Sequence, residues 1–225
     1  MRRARADAVV HAALRDDAAL RALRDALHAA WPWPRPALVK AHHSPKDALY
    51  ALQHDAPLAD RLRACAAYLR CASADECVVR LAKSLRVAED LALRSCQALF
   101  VVRWHADVDP CRELRVFYGD GGVLLGASGV PDCPPLGGES TGEPLRRAVR
   151  DACAPLARRL GRCAIDVSVA AGAPAVRVLE VNPLDGDTDL YLFSPNDLSR
   201  VAAHRADVTL RLPWGDSGTT ASAPQ

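Results

Sequence analysis

Three oxygen-bearing side chains in the last quarter of the chain have the types and the spacing that a cation site requires. Glu180 and Asn182 stand two residues apart in the apolar run VRVLEVNP. Because successive side chains of a strand point to opposite faces, these two are predicted to share one face. The preceding run CAIDVSV is predicted to pair with it as a hairpin, and a turn centred near Ala173 places Asp166 opposite Glu180. The three oxygen-bearing groups would then converge.

The predicted pairing of Asp166 with Glu180 can be explained in two ways. Two carboxylates directly opposite each other destabilise a sheet unless a positive charge neutralises them. A small set of hard oxygen ligands favours magnesium, with water and phosphate oxygens completing the coordination. A solvated face carrying both acids explains the pattern equally well, because charged strand residues are usually exposed.

Other catalytic and metal-binding motifs do not fit this sequence. Asp185, Asp187 and Asp189 are spaced like calcium-loop ligands, but a glycine separates the first two and position twelve is Asn196 instead of glutamate. GASG is one residue short of the GxSxG nucleophile motif, and neither GxxxxGK[ST] nor GxGxxG occurs. If phosphates bind here, lysines and a metal must hold them.

Composition and cysteine spacing indicate an ordinary soluble protein. The chain has 225 residues, 50% hydrophobic and 25% charged, and a formal charge of +2, so nothing draws it as a whole to nucleic acid or membrane. No apolar run approaches the roughly 20 residues of a bilayer span, and aspartates interrupt the arginine-rich start, so a cytoplasmic location is predicted. The eight cysteines form no CxxC pair, which favours reduced, buried thiols over a zinc site.

The first half of the chain is predicted to contain helices and three strands that each carry lysine or arginine. A leucine stripe marks the first helix, WPWPRP ends it, and ALVK (37–40) follows as a strand. Helices are predicted from Pro45 and through LADRLRACAAYLR. ECVVRLAKS (76–84) and ALFVVRW (98–104) are predicted strands, separated by the helix-compatible VAEDLALRSC.

The second half is predicted to form two hairpins on either side of a long helix. ELRVFY (113–118) and VLLGAS (123–128) flank a glycine-rich turn, and CAIDVSV (163–169) and AVRVLEV (175–181) flank AAGAP. Between the hairpins, the helix over 143–160 is predicted to bury one face, made of Leu145, Val149, Cys153, Leu156 and Leu160. The mixed order of elements, with late antiparallel hairpins, predicts an α+β fold.

Five stretches carry distinctive motifs in a fixed order. They are LVKAHHSPKDA, LAKSLRVAEDL, ALFVVRWHADVDPCRELRVFY, NPLDGDTDLYLF and DVTLRLP. Together they resemble motifs of the cell division cycle protein 123 family over roughly residues 36–213, and an ordered set is more specific than any single motif.

The resemblance implies an ATP-grasp-like fold of two α+β lobes with antiparallel sheets that enclose a nucleotide site. Residues 36–213 would form this domain. They would follow an N-terminal helix and Trp/Pro linker (1–35) and precede a disordered tail (214–225). The chain departs from the family pattern in a shorter amino-terminal region, in the segment 126–142, and in Glu180, where the family usually has aspartate.

The resemblance also implies a set of ligands for ATP and Mg²⁺. Asp166, Glu180 and Asn182 would bind the metal that bridges the phosphates. The nucleotide would be bound by Lys40, by the loop residues Ser44, Lys46 and Asp47, by Lys83, by Arg103 and Trp104 beside adenine, and by Arg115 facing the phosphates. The residues alone also fit structural roles: the lysines at strand ends, Trp104 in packing, and Arg115 in an ion pair with Glu113.

The function implied is that of an ATP-binding assembly chaperone for the γ subunit of translation initiation factor two, with no direct contact to nucleic acid. Two alternatives remain open. One is an ATP-dependent ligase that joins a carboxylate to an amine, and the other is a nucleotide-binding module without turnover. The motifs do not decide whether ATP is hydrolysed.

Overall fold

The computed structural model describes residues 12, 16–31, 35–41, 43–47, 56–93, 98–130, 133, 142–172, 175–185, 188, 190 and 198, and the backbone of 209–211. The chain divides into two compact units. Met1–Ala56 and Asp60–His105 form the first, and Pro57–Ala59 and Ala106–Gln225 form the second.

Along the chain, the described residues form five α-helices and seven strands. They are α1 (Ala18–Ala30), β1 (Ala37–Lys40), α2 (Leu58–Leu69), α3 (Ala74–Ala82), α4 (Leu85–Ala92), β2 (Phe100–Arg103), β3 (Glu113–Tyr118), β4 (Leu124–Gly129), α5 (Gly142–Leu160), β5 (Cys163–Val169), β6 (Val176–Pro183) and β7 (Thr209–Arg211). None of these helices has the length and hydropathy that a bilayer span requires.

The core of the first unit lies between α1, α3 and the strand pair β1–β2. Asp17 begins α1, since its carboxylate accepts the backbone N–H groups of Ala19 (2.8 Å) and Leu20 (3.0 Å). The leucine stripe of α1 packs onto this core, with Leu27 fully buried. β1 and β2 pair antiparallel and bury one of their two faces.

Residues 76–82 are helical, so the prediction of a strand over 76–84 was wrong. β-branched Val78 and Val79 suggested a strand, but SADE at 73–76 is a helix start. The Ser73 hydroxyl accepts the Glu76 N–H at 3.2 Å, and the Glu76 carboxylate accepts the Ala72 N–H at 2.9 Å. These caps and the burial of Leu81, three residues after Val78, fix a helix that packs on β1.

The second unit is a five-stranded sheet in the order β6-β5-β3-β4-β7, covered on one face by α5. All pairs are antiparallel except β4 with β7, which is parallel. The predicted α+β class with antiparallel sheets is therefore confirmed. The α5 face buries Leu145, Val149, Cys153 and Ala157 against β3 and β5.

One residue of the predicted α5 face was misplaced. Leu160, at the last position of the helix, is 58% exposed, whereas Leu145 is 0% exposed. The helical repeat continues to the end of α5, but the chain turns away at Gly161, which has φ +76°.

The cysteines agree with the prediction of reduced, buried thiols. The seven that the structure describes form no disulfide and are buried (Cys65, Cys71, Cys77, Cys111, Cys133, Cys153 and Cys163). Burial, and to a lesser extent the neighbouring Cys163, raises the pKa of Cys153 to about 12. Such a thiol is protonated at neutral pH and acts as core packing.

Candidate functional site

One row of side chains crosses the five-stranded sheet on the face opposite α5. Arg115 of β3 pairs with Ser128 of β4 and with Asp166 of β5, and Asp166 pairs with Glu180 of β6. Ile165, next to Asp166, packs against α5, so Asp166 points away from that helix. The structure thus confirms the predicted opposition of Asp166 and Glu180.

A β-bulge in β6 makes this arrangement possible. Val167 pairs with Val178, but its neighbour Asp166 pairs with Glu180, so Leu179 is an extra residue without a counterpart on β5. Bulges of this kind redirect the side chains that follow them.

The bulge separates two pairs of residues that strict alternation would place on one face. Val176 and Val178 pack against the α5 core, whereas Glu180 and Asn182 lie on the opposite face with Asp166. In a regular ladder, Glu180 would follow Val178 onto the core side, and its carboxylate would be buried against apolar side chains. The sequence analysis did not predict the bulge.

The charge of Asp166 is neutralised by a bidentate ion pair within the row. Arg115 Nε donates to Asp166 Oδ1 at 2.7 Å, and Arg115 Nη2 donates to Oδ2 at 2.8 Å. The two side chains are only 14% and 13% exposed. Asn182 Nδ2 also donates to Asp166 Oδ2 at 3.2 Å. Arg115 therefore supplies positive charge to the facing carboxylates through its ion pair with Asp166.

The donor atoms of the row fit a magnesium ion. Asp166 and Glu180 offer carboxylates and Asn182 an amide oxygen, all hard ligands on partly buried side chains of one sheet face. Nowhere in the described part of the chain do three or more His, Cys, Asp or Glu side chains gather as a metal-binding group. Mg²⁺ suits a site with few protein ligands, because it keeps several waters and binds phosphate oxygens.

In the first unit, Lys40 lies at the end of an apolar sheet face. β1 and β2 place Lys40 opposite Phe100 and Leu38 opposite Val102, on the face away from the core. Phe100 is 56% and Val102 43% exposed. An apolar surface next to a lysine suits a flat base and an anion. The sequence analysis identified Lys40 but missed its apolar neighbours, although the alternation in LFVVRW indicated them.

The structure does not bring Arg103 together with Lys40. Arg103 pairs with Ala37, so the register assigns it to the face opposite Lys40. Trp104 follows the strand and is partly buried, and its backbone N–H donates to Pro36 O at 2.9 Å. The predicted contacts of Arg103 and Trp104 with adenine stay predictions.

Lys83 does not lie on the strand predicted over 76–84, and its contact with the nucleotide stays a prediction. It is the C-cap of α3, where its backbone N–H donates to Arg80 O at 3.3 Å. A positive charge at this end of a helix is favourable, because the last carbonyl groups carry partial negative charge.

Asp47 of the predicted phosphate loop caps helix α4. Its Oδ1 accepts the Ser84 hydroxyl, and its Oδ2 accepts the backbone N–H groups of Leu85 (2.8 Å) and Arg86 (3.3 Å). Both carboxylate oxygens are engaged at the helix N-terminus, where negative charge is favourable. The loop that also carries Ser44 and Lys46 is thereby fixed to α4.

We expect Asp47→Ala to lower the free energy of unfolding by about 1–2 kcal/mol, because two N–H groups of α4 lose their acceptor. Denaturant unfolding measures this change. Glu89→Ala, at an exposed position of α4, is the control and should change stability by less than about 0.5 kcal/mol. Asp47→Asn keeps an oxygen acceptor for the helix. A large loss of nucleotide affinity in that variant would show that Asp47 also contacts the ligand.

A contact that the sequence analysis missed joins His43 to Asp90 of α4. The backbone N–H of His43 donates to Asp90 Oδ2, and His43 Nδ1 lies near Asp90 Oδ1, both at 2.8 Å. Asp90 is 3% exposed.

Together, the fold and the site define an α+β protein whose five-stranded sheet bears a row of acidic, amide and basic side chains. Neither a family model nor a curated protein matches the sequence. Solved structures of Cdc123 from Schizosaccharomyces pombe, one of them C-terminally truncated, do match, with 20% identity and a TM-score of 0.52. The match covers 80% of this chain and 72% of theirs. At this identity the likeness shows a common fold, and the resemblance found in the sequence is confirmed at that level.

Proposed function

We propose that this protein is ATP-grasp-like and binds ATP together with Mg²⁺. The observation that carries the proposal is the pairing of Asp166 with Glu180, beside Asn182 and Arg115, on one sheet face. An acidic pair on a purely solvated face would not need a bulge to direct it or a largely buried guanidinium to hold it.

The charge of the row suits a complex of a divalent cation with a polyphosphate. Asp166 and Glu180 contribute two negative charges and Arg115 one positive charge, so the three side chains are net negative. Bound Mg²⁺ would supply positive charge to the nucleotide phosphates, with Asp166, Glu180 and Asn182 as its protein ligands. Arg115, adjacent to these ligands, could then pair with phosphate oxygens, for which its planar donors are well suited.

Taken by itself, the first unit also carries side chains that suit a nucleotide. Leu38, Phe100 and Val102 form an apolar surface on which adenine can stack, and Lys40 at its end can pair with phosphate. The loop Ser44–Asp47 begins four residues after Lys40, and Asp47 holds it in place. Ser44 and Lys46 are its proposed phosphate contacts.

Calorimetric titration of ATP with and without Mg²⁺ tests the binding proposal directly. We expect binding in the presence of the metal and at least about tenfold weaker binding in its absence, because the metal offsets phosphate charge. If the wild-type protein shows no binding with Mg²⁺, the likeness to Cdc123 is one of architecture only.

We further propose that the protein acts in the cytoplasm as an assembly chaperone for the γ subunit of translation initiation factor two. The ordered motifs and the common fold support this role. Leu85 (67%), Leu91 (57%) and Leu93 (79%), on and just after α4, are exposed. We propose that they contact the γ subunit, since exposed apolar side chains mark a partner surface where they form one patch.

Co-purification with the γ subunit tests the chaperone role. The substitutions Leu85→Glu and Leu91→Glu should weaken capture of the γ subunit. Val123→Glu, at an exposed apolar position of the second unit, should not. Equal capture by all variants would remove the leucines as the partner surface. No capture by the wild-type protein, with or without ATP, would overturn the chaperone role.

A cavity in the second unit keeps the ligase as a second candidate. It has a volume of about 280 Å³ and is lined by Asp107, Ser168, Ala170, Ala175, Val176 and Arg177. Ser168 lies two residues from Asp166 on β5, and Arg177 could bind a carboxylate in place of Asp107, its present partner at 3.0 Å. Release of ADP that depends on an added carboxylate and amine would favour the ligase. ATP binding without turnover would favour the other two functions.

A further inference from the structure

Two buried thiols lie where helix α3 meets the start of β1. Cys71 precedes α3 and forms a bridge with Ala37 of β1, since the backbone N–H of each residue donates to the carbonyl oxygen of the other (2.9 and 3.0 Å). Cys77 lies in the first half of α3. The two cysteines are 2% and 1% exposed and belong to one core cluster. Neither the motifs nor the proposed function explains this pair.

The guanidinium of Arg80 is fixed against the sulfur of Cys71. Arg80 Nη1 donates to Cys71 Sγ at 3.2 Å and to Arg70 O at 2.7 Å. Its Nη2 donates to Glu76 Oε2 at 3.3 Å, and the guanidinium carbon lies 5.0 Å from the centre of the Tyr68 ring. A cation held in this way favours the thiolate form of the cysteine beside it.

The two thiols differ in how readily they ionise. A hydrogen bond from Cys77 lowers the pKa of the Cys71 thiol below its ordinary value, and the charge of Arg80 lowers this pKa further. Burial and the charge of Glu76 oppose these two effects. The same hydrogen bond, followed by burial, raises the pKa of Cys77. Because the thiolate is the form that attacks an oxidant, Cys71 is the nucleophile of the pair, and Cys77 keeps its proton.

We propose that Cys71 and Cys77 are a peroxide-sensitive thiol pair that closes into a disulfide. The Cys71 thiolate attacks one oxygen of hydrogen peroxide, the O–O bond breaks, and the hydroxide that leaves takes up a proton to become water. The resulting sulfenic acid reacts with the Cys77 thiol, which forms the S–S bond and releases a second water. The two thiols lose two electrons, and one peroxide is reduced to two waters.

Burial of the pair selects the oxidant that can react with it. Arg70 and Ala72, on either side of Cys71, are exposed, so this thiol lies on a surface connection between α2 and α3. Local opening of such a connection costs less free energy than opening of the core, and hydrogen peroxide is little larger than water. The disulfide would link the bridge at β1 covalently to α3.

Oxidation of the folded protein with hydrogen peroxide tests the inference. Trypsin cuts after Arg70 and Arg80, so one peptide, CASADECVVR, carries both thiols and contains no other cysteine. After the remaining thiols are alkylated in denaturant, mass spectrometry should show this peptide with two hydrogen atoms fewer. We expect it to be oxidised at least about tenfold faster than Cys153, whose pKa burial raises to about 12. Dithiothreitol should restore the reduced peptide.

Two variants separate the roles of the residues. In Cys77→Ser, the oxidation of Cys71 should stop at the sulfenic acid, which dimedone labels. Arg80→Met should slow oxidation at least about threefold, because the thiolate loses its cation. Arg63→Met, at an exposed position of α2, is the control and should be oxidised like the wild type.

The inference is overturned if the peptide 71–80 of the wild type is oxidised no faster than Cys153. It is also overturned if dimedone does not label Cys71 in folded Cys77→Ser. The two thiols would then be core packing only. Neither result depends on ATP, so the outcome is independent of the proposed function.

Discussion

Asp166→Ala is expected to abolish magnesium-dependent binding of ATP, raising the Kd by about 100-fold or more. The substitution removes one of the two facing carboxylates of the polar row, and it leaves Arg115, a side chain only 14% exposed, without its bidentate partner. The uncompensated guanidinium would repel a bound cation. Calorimetric titration of ATP with and without Mg²⁺, on wild type and variant, measures the effect.

Loss of stability must be distinguished from loss of a ligand in this experiment. Breaking a largely buried ion pair from one side costs about 3–5 kcal/mol, so Asp166→Ala must be shown to be folded under the conditions of the titration. Asp166→Asn keeps the shape and one oxygen acceptor for Arg115, and Glu180→Gln leaves the ion pair intact. Asp151→Ala removes an exposed acid of α5 and should bind ATP normally.

The outcomes lead to different conclusions. Weak binding by Asp166→Asn and Glu180→Gln, with thermal midpoints near that of the wild type, supports the assignment of the metal ligands. Binding of Mg²⁺–ATP by folded Asp166→Asn with the wild-type Kd contradicts it. The row would then be a structural ion pair between β3 and β5.

Leu145→Ala is expected to lower the free energy of unfolding by about 2–5 kcal/mol, through lost burial and the cavity it leaves. Leu145 is 0% exposed and lies in the core between α5 and the sheet, with Val116 and Ile165. The loss is large compared with the free energy of unfolding of a typical domain, which is about 5–15 kcal/mol. Denaturant unfolding, followed by hydrogen exchange of the β5 amides, measures the stability of the second unit.

Leu160→Ala is the matched control, since it removes the same atoms from the same helix. Because Leu160 is 58% exposed, we expect its loss to cost less than about 0.5 kcal/mol. Equal losses for the two variants would contradict the structure. They would indicate that Leu160 is buried on the apolar face of α5, as the helical repeat alone predicts.

Local pattern was sufficient to locate most of the second unit. Alternating β-prone runs beside glycine-rich turns define β3, β4, β5 and β6, since the pairs β3–β4 and β5–β6 join neighbours in the sequence. The pairing of Asp166 with Glu180 was predicted from a turn centred near Ala173, but the structure reaches it through the bulge. Beside the turn Val169 pairs with Val176, and that register without the bulge would place Asp166 opposite Leu179.

One element of the first unit could have been predicted from local sequence pattern but was predicted wrongly. The segment 76–84 has strand-prone residues in a helix, and the capping signal at 73–76 outweighs them. Secondary-structure propensity is a weak preference that helix caps and packing override. The strand propensity of Val78 and Val79 therefore did not decide the structure of this segment.

The sequence by itself determined which residues carry oxygen and positive charge, and that Glu180 and Asn182 share a face. Only the structure decided that this is the face of Asp166, away from α5, and what neutralises the charge of Asp166. The bulge at Leu179 turns the acids away from the α5 core, and Arg115 reaches Asp166 from 51 positions along the chain. Asp90 likewise meets His43 across 47 positions. Such contacts depend on how separate elements pack, because no local repeat relates residues so far apart along the chain.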